Sequence, residues 1–432
     1  MKSTIFRCIA AMTLFATMAE PPGVAAQAEN VERYTVINLG SLGGTSCCGV
    51  SAVGDVIINE RGWVDGTSNL LGDGNLHPFL WIDGQIRDLG TLGGPNASAG
   101  GMNEVGDVTV GGADTGIPDP LGEDFCGFGT HQTCLSFIWH RGRRTLIPTL
   151  GGNNGDVSTI TNAGLVLGFA ETADHDVTCM TPQVLGFEAF VWDPDQSEIR
   201  VLPPLSGDTA TAAFAINENG DVAGFSGICG GGFVPASALH AVIWRNGLPI
   251  DLGSLGGAHS IASFSINNHG RVVGASDLSG DATAHAFLWS EEQGMQDLGT
   301  LPGDIFSIAN SINDNGQVAA ESCDVNFNCR AAVWQNGVMT DLNTLIPADA
   351  HLFLLLANSI NSRGQIVGAA FDKSTNAIVP FLATPSAAGA ETEARPSASQ
   401  FSVSPNSNVT LPIEVRQLIE QRLHFGRFRI QR

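Results

Sequence analysis

The sequence is poor in charge and poorest in positive charge: only 15% of its residues are Asp, Glu, Lys or Arg, and 20 Lys and Arg face 43 Asp and Glu. The resulting formal net charge of -23 sets up a field that repels nucleic acid phosphates and anionic membrane surfaces, which excludes nucleic acid as a partner. Apolar runs are short too. After the first thirty residues no segment approaches the roughly 20 uninterrupted apolar residues of a transmembrane helix, so no transmembrane segment is expected. No spacing of His, Cys, Asp and Glu matches an established metal-ligand or catalytic motif, and neither a metal nor another cofactor is expected.

Glycine is abundant, at 53 of 432 residues, which suits short strands joined by tight turns that need positive φ. The first residues have another character. Met1, Lys2 and Arg7 precede an apolar stretch from Cys8 to Met18 and the small residues around Ala26 and Ala28, the pattern of a secretory signal peptide over residues 1–28 cleaved after Ala28. A secreted or periplasmic protein is therefore expected. Cys8 lacks the small-residue context of a lipid-anchored cysteine. Eight cysteines remain after cleavage: Cys47, Cys48, Cys126, Cys134, Cys179, Cys229, Cys323 and Cys329. An even count in an exported chain favours disulfides.

Self-similarity organises everything between. From Asp251 the chain reads DLGSLGGAHSIASFSINNHGRVVGASDLSGDATAHAFLW, and from Asp297 it begins again as DLGTLPGDIFSIANSINDNGQVAA. Four landmarks recur in order. A DLG-like step stands at Asp88, Asp251 and Asp297 with four relatives; an Ile-Asn-like close at Asn59, Asn103, Thr161, Asn217, Asn267, Asn313 and Asn361; a glycine three residues later in each unit; and an apolar triplet ending in Trp81, Trp139, Trp192, Trp244, Trp289 and Trp334, decayed to Ala383 in the last. Each landmark occurs seven times.

These segments are short, rich in β-branched and aromatic residues, and bounded by Gly, Asn or Asp, which reads as four strands per unit. Asn217 to Gly220 and Asn313 to Gly316 have the Asx start and αL glycine of a tight hairpin. Units of roughly 45 to 58 residues match propeller blades better than solenoid repeats. The last apolar triplet, Phe381 to Ala383, has no DLG strand after it, whereas Arg33 to Gly40 is a DLG-like strand with no triplet before it. Pairing the two closes a ring. The expected fold is all-β, a seven-bladed β-propeller of four-stranded blades over residues 33–384, closed by the N-terminal strand joining the last blade.

The units resemble the HAF-repeat family of extracellular bacterial proteins, whose name matches His285, Ala286 and Phe287; the resemblance covers about Arg33 to Ala383. It implies an exported, propeller-like repeat protein and transfers no reaction and no catalytic residues. Thr161 and Ala383 depart from the repeat pattern.

In such blades the a-b and c-d turns share one face and the b-c loops the other, where strands a to d run outward from the axis. The b-c loops swell at Gly112 to Leu135, Phe169 to Phe187 and Phe225 to Leu239, and every mature cysteine falls on that face. Cys126 with Cys134, Cys323 with Cys329, and Cys179 with Cys229 are plausible bridges. Cys47 and Cys48 form a vicinal ring or reach another loop, and export favours bridging over a redox or metal-binding pair.

Asp174, His175 and Asp176, with Asp124, Glu171 and His131 on neighbouring loops, form the candidate ligand-binding cluster, set against the reading that they are solvated loop charges. His77, His240 and His285 share one repeat position that other units fill with Leu135, Glu188, Arg330 and Val379, which argues a surface site rather than a catalytic histidine. The tryptophans, one per unit, are expected between blades. Residues 385–410 read as a linker. Residues 411–432 read as a short basic helix or tail, with Val415, Leu418, Ile419 and Leu423 on one face and Arg416 and Arg422 opposite, docking on the propeller or fraying.

Two functional classes follow. The first is an exported, non-catalytic protein that binds extracellular carbohydrate or protein through the b-c loop face. The alternative is an extracellular hydrolase or lyase acting on a polymer at the same face, which would need carboxylates from two blades converging in one pocket.

Overall fold

The computed structural model describes residues 33–47, 56–230, 238–386 and 411–424, the side chains of 261–263 and 420–424 excepted. Seven antiparallel sheets succeed one another along the chain, the seven-bladed β-propeller that the repeats foretell. Blade 2 shows the plan, with strands Ala97–Met102, Val108–Pro118, Gln132–His140 and Arg143–Leu146 from a to d. Strand a is largely buried toward the axis, and strand d is exposed at the rim. In blade 1 the inner strand is split into Gly43–Cys47 and Ile57–Ile58, both paired with Val64–Leu70.

Blade 7 takes its outer strand from the other end of the chain. Tyr34–Asn38 pairs antiparallel with Ala377–Pro385, placing Val36 opposite Ala383, which itself lies opposite Ile366. The strand runs through Pro385, into the segment read as linker. Main-chain bonds from Leu39 N to Pro380 O and from Ser386 N to Arg33 O fasten the ends of this ladder. Among the described residues the ring has no free interblade edge, because Tyr34–Asn38 supplies the hydrogen bonds that the last blade lacks.

Apolar side chains pack between blades. Trp139 clusters with Leu80 and Leu89 of blade 1, Trp192 with Ile147 of blade 2, Trp244 with Leu167 and Val191 of blade 3, and Trp289 with Ala223 and Ile243 of blade 4. The once-per-unit tryptophans are thus interblade packing residues. Close approach dictates small residues beside them: a Cβ on Gly224 would lie 1.9 Å from Ala212 O and 2.9 Å from the Trp244 ring.

The repeated Asn has two duties. Its Oδ1 closes the a-b turn, as where Asn217 accepts from Asn219 N and Asp221 N across Gly220, whose φ of 81° suits glycine. Its Nδ2 reaches the next blade. Asn59 donates to Asn103 O, Asn103 to Thr161 O, Asn217 to Asn267 O, Asn267 to Asn313 O, Asn313 to Asn361 O, and Asn361 back to Asn59 O. A ring of side-chain bonds therefore laces this face, broken where Thr161 has no amide to donate to blade 4.

The histidines of the repeat also have a structural role. Nδ1 of His77 meets Asp88 at 2.9 Å and that of His285 meets Asp297 at 3.0 Å, with Arg330 and Asp341 the equivalent pair in blade 6. Each straps strand c to the aspartate of the DLG step. That Asp in turn accepts from the amide two residues on, Gly90 N or Gly299 N.

Candidate functional site

The b-c loop face is built up over blades 2 and 3, but less by loop than by strand. Strands b and c there run Val108–Pro118 with Gln132–His140, and Val166–His175 with Leu185–Asp193, against Val272–Leu278 with Ala284–Ser290 in blade 5. The hairpins extend past the blade body, so Asp174 and His175 stand at a strand end rather than in a loop. Of the blade 4 loop, residues 231–237 lie outside the described residues.

Three disulfides pin this face: Cys126–Cys134 within the blade 2 hairpin, Cys323–Cys329 within that of blade 6, and Cys179–Cys229 between blades 3 and 4. Cys47 is disulfide-bonded as well, and Cys48, with which a vicinal ring is expected as one option, lies outside the described residues. The interblade bridge is reinforced by Cys229 N donating to Thr178 Oγ1 and Met180 N to Gly230 O.

The six candidate side chains do not form one cluster. Asp124 accepts Gly129 N on both carboxylate oxygens, and His131, at φ 51°, bonds Gly122 O through Nδ1; both shape the blade 2 loop. Asp176 Oδ1 accepts from the backbone N and Oγ1 of Thr178, while its Oδ2 is buried with no hydrogen-bond partner among the described residues. The Asp176 carboxylate and the sulfurs of Cys179 and Cys229 lie within 4.8 Å of one another, but the sulfurs are bonded to each other and offer no thiolate. Asp174 and His175 are exposed.

Glu171 is fully buried, and it belongs to a group that spans two blades. Its Oε2 accepts from Asn153 N and Asn154 N, and its Oε1 from Asn154 Nδ2 and Gln183 Nε2. The same Asn154 Nδ2 donates to Asp119 Oδ2 of blade 2, while Asn154 Oδ1 accepts Cys134 N. From the blade 2 loop, Glu123 reaches across so that its Oε1 accepts Val184 N and Leu185 N of blade 3, leaving Oε2 buried and unbonded among the described residues. Burial drives the Glu171 carboxyl well above the usual carboxylate range; hydrogen bonds from Asn154 and Gln183 oppose the rise, and the charge of Glu123 adds to it.

Carboxylates of two blades do converge, then, but inside the interblade contact. Asp119, Glu123, Asn154 and Gln183 were not singled out from the sequence. Period-two alternation could have pointed to Glu171, which shares the inward face of its strand with Phe169. Its partners come from loops whose conformation no period encodes.

Beside the exposed Asp174, His175 and His131, the extended hairpins present large apolar side chains to solvent. Ile117 is 62% exposed, Leu121 43%, Val177 99% and Met180 57%, all from blades 2 and 3.

No family model matches the chain, and no curated protein matches it. Solved structures do show likeness. An acylaminoacyl peptidase from Pyrococcus horikoshii superposes over 79% of this chain and 52% of its own, at 9% identity and a TM-score of 0.45, so the chain spans about half the length of that peptidase. An oligogalacturonate lyase in complex with manganese covers 82% of this chain and 93% of its own at 12% identity and a TM-score of 0.42. AofleA from Arthrobotrys oligospora covers 72% and 88% at 10% identity and a TM-score of 0.36. Likeness of this order carries no argument about activity.

Proposed function

We propose that this chain is an exported HAF-repeat propeller that binds an extracellular partner, a protein rather than a polymer to be cleaved, through the hairpin tips of blades 2 and 3. One observation supports the reading above others. Val177 is 99% exposed, yet the backbone on either side of it is tied down. Asp176 caps Thr178 on one side, and the Cys179–Cys229 bridge follows two residues later. Holding an apolar side chain rigidly in water gives folding nothing. It gives binding a preorganised contact whose ordering cost is already met.

Binding is favoured over hydrolysis or lysis because Glu123 and Glu171 are buried and already accept main-chain and amide hydrogens, which leaves neither open to a polymer. Export is part of the proposal, supported by the disulfides and the N-terminal pattern.

The test pairs a screen of the mature protein against extracellular proteins and a glycan array with the double substitution Val177→Asp and Met180→Asp. A protein ligand lost at least tenfold by the variant, with its melting temperature unchanged, supports the proposal. Unchanged affinity, or a ligand found only on the glycan array, sinks it.

A further inference from the structure

The largest apolar cluster among the described residues is not confined to the blades. It gathers Phe79, Phe169, Phe187, Phe225, Phe306 and Phe353 from five blades with the loop-face residues Phe125, Cys126, Cys323 and Phe327. It also includes Leu411, Val415 and Ile419, which come from the C-terminal helix Ile413–His424 and the residues just before it. Leu411 is 1% exposed and Ile419 0%, and Leu418 packs beside them. Leu411 N donates to Asn328 Oδ1 of the blade 6 hairpin at 3.2 Å, which places the start of this segment on the b-c loop face. Glu414 and Gln417 point to solvent.

This is the geometry of a helix seated in an apolar groove, read by Val415, Leu418 and Ile419 with Leu411 just ahead of the first turn. The seat is imperfect. Nε of Arg416 is buried without a hydrogen-bond partner among the described residues. An unpaired buried donor opposes the gain from three aliphatic side chains. Residues 387–410 tether the helix, and a tether supplies local concentration that a weak contact would otherwise lack.

We infer that the b-c loop face carries a docking groove for an amphipathic helix with aliphatic residues at i, i+3 and i+4 and an apolar residue just before its first turn, that the C-terminal helix is its resident occupant, and that a partner helix of this pattern exchanges with it. The partner that fits best has an uncharged side chain where this chain has the half-buried Arg416, whose Nε finds no hydrogen-bond partner there among the described residues. The groove is separate from the hairpin tips of blades 2 and 3, and the inference does not rest on their role.

The test uses the full-length protein and a fluorescent peptide of residues 411–424. In the variant Val415→Asp with Ile419→Asp the resident helix leaves, so the peptide binds at least tenfold more tightly than to wild type. Dye fluorescence reporting exposed apolar surface rises severalfold, and the melting transition of the ring persists. A peptide carrying Arg416→Met binds severalfold more tightly again. Glu414→Gln with Gln417→Ala, on the exposed face, serves as the control and leaves peptide binding at the wild-type level. Absence of peptide binding to the helix-released variant, with its ring still folded, overturns the groove. Equal binding to wild type and variant overturns resident occupancy. Dimers that form with rising concentration of wild type would show exchange between copies and overturn the assignment to a partner.

Discussion

Asn361 Nδ2 donates to the carbonyl oxygen of Asn59 at 3.0 Å, a bond between residues 302 positions apart that joins the last blade to the first. The same bond recurs between neighbouring blades except from Thr161, whose side chain instead accepts Leu165 N. Replacing Thr161 with Asn should keep the turn and add the missing donor toward Asn217 O. The expected gain is about 0.5–1.5 kcal/mol, the net worth of one intramolecular hydrogen bond. Thermal unfolding of the variant checks it: a melting temperature at or below wild type would mean the ring of amides contributes nothing.

The closing strand offers a stronger test. Ile37 sits mid-strand opposite Leu382, and Ile37→Pro removes a ladder donor where the ring is sealed. A loss of about 1–3 kcal/mol is expected from the lost ladder bond, seen as a lowered denaturant midpoint with amide exchange accelerated first in blades 7 and 1. Protection lost evenly around the ring would argue against local closure.

Asn154 holds two carboxylates with one amide nitrogen and caps Cys134 N with its oxygen. Asn154→Ala leaves all three groups short of a partner in a buried site, and a loss of about 2–4 kcal/mol is expected. Asn154→Asp should be worse at neutral pH and partly recover in acid, as protonation relieves three crowded carboxylates. Stability curves at two pH values distinguish these outcomes.

Asp65 is fully buried, both its oxygens lack partners among the described residues, and burial, opposed by its own amide, pushes its pKa up to about 8. The unfolded group titrates near 3.8, so between these values the native state holds a proton that the unfolded chain releases. The contribution is complete below the unfolded value and is lost as pH rises through about 8. Asp65→Asn mimics the protonated form. Its stability advantage over wild type should be small near pH 4 and grow to roughly 5 kcal/mol by pH 8, at about 1.4 kcal/mol per pKa unit. A difference that stays flat with pH would refute the buried neutral carboxyl.

The bridges should differ in worth. Cys179–Cys229 spans 50 residues and Cys323–Cys329 spans 6. Loop-closure entropy assigns about 4 kcal/mol to the first and about 2 to the second. Paired Cys→Ser variants measured in denaturant test the order, and equal losses would show that strand pairing already fixes both loops.

Much of the fold was readable because its information is local and repeated. A turn needs Asn and Gly at fixed offsets, a strand needs alternation, and a decayed Trp at Ala383 still occupies its place in the pattern. The strand from Tyr34 and the sheet around Phe381 were matched as two orphans of one period, and the ladder between them bears this out. The candidate site was read less well. Asp124, His131, Glu171 and Asp176 look alike as loop charges, yet all four shape or fasten the hairpins. The position of Arg416, read as the outer face of its helix, is half-buried instead. A helical wheel sorts faces by polarity and does not record how deep the groove is.

The sequence by itself determined how many blades there are, which strand closes them and which residues turn between strands, because each rests on contacts between neighbours in a periodic chain. Only the tertiary structure decided that Glu123 and Glu171 meet across a blade boundary and that Ile419 is buried in the loop-face cluster. Those contacts depend on where irregular loops and a tethered helix come to rest, and dense packing settles that at long range rather than any repeat.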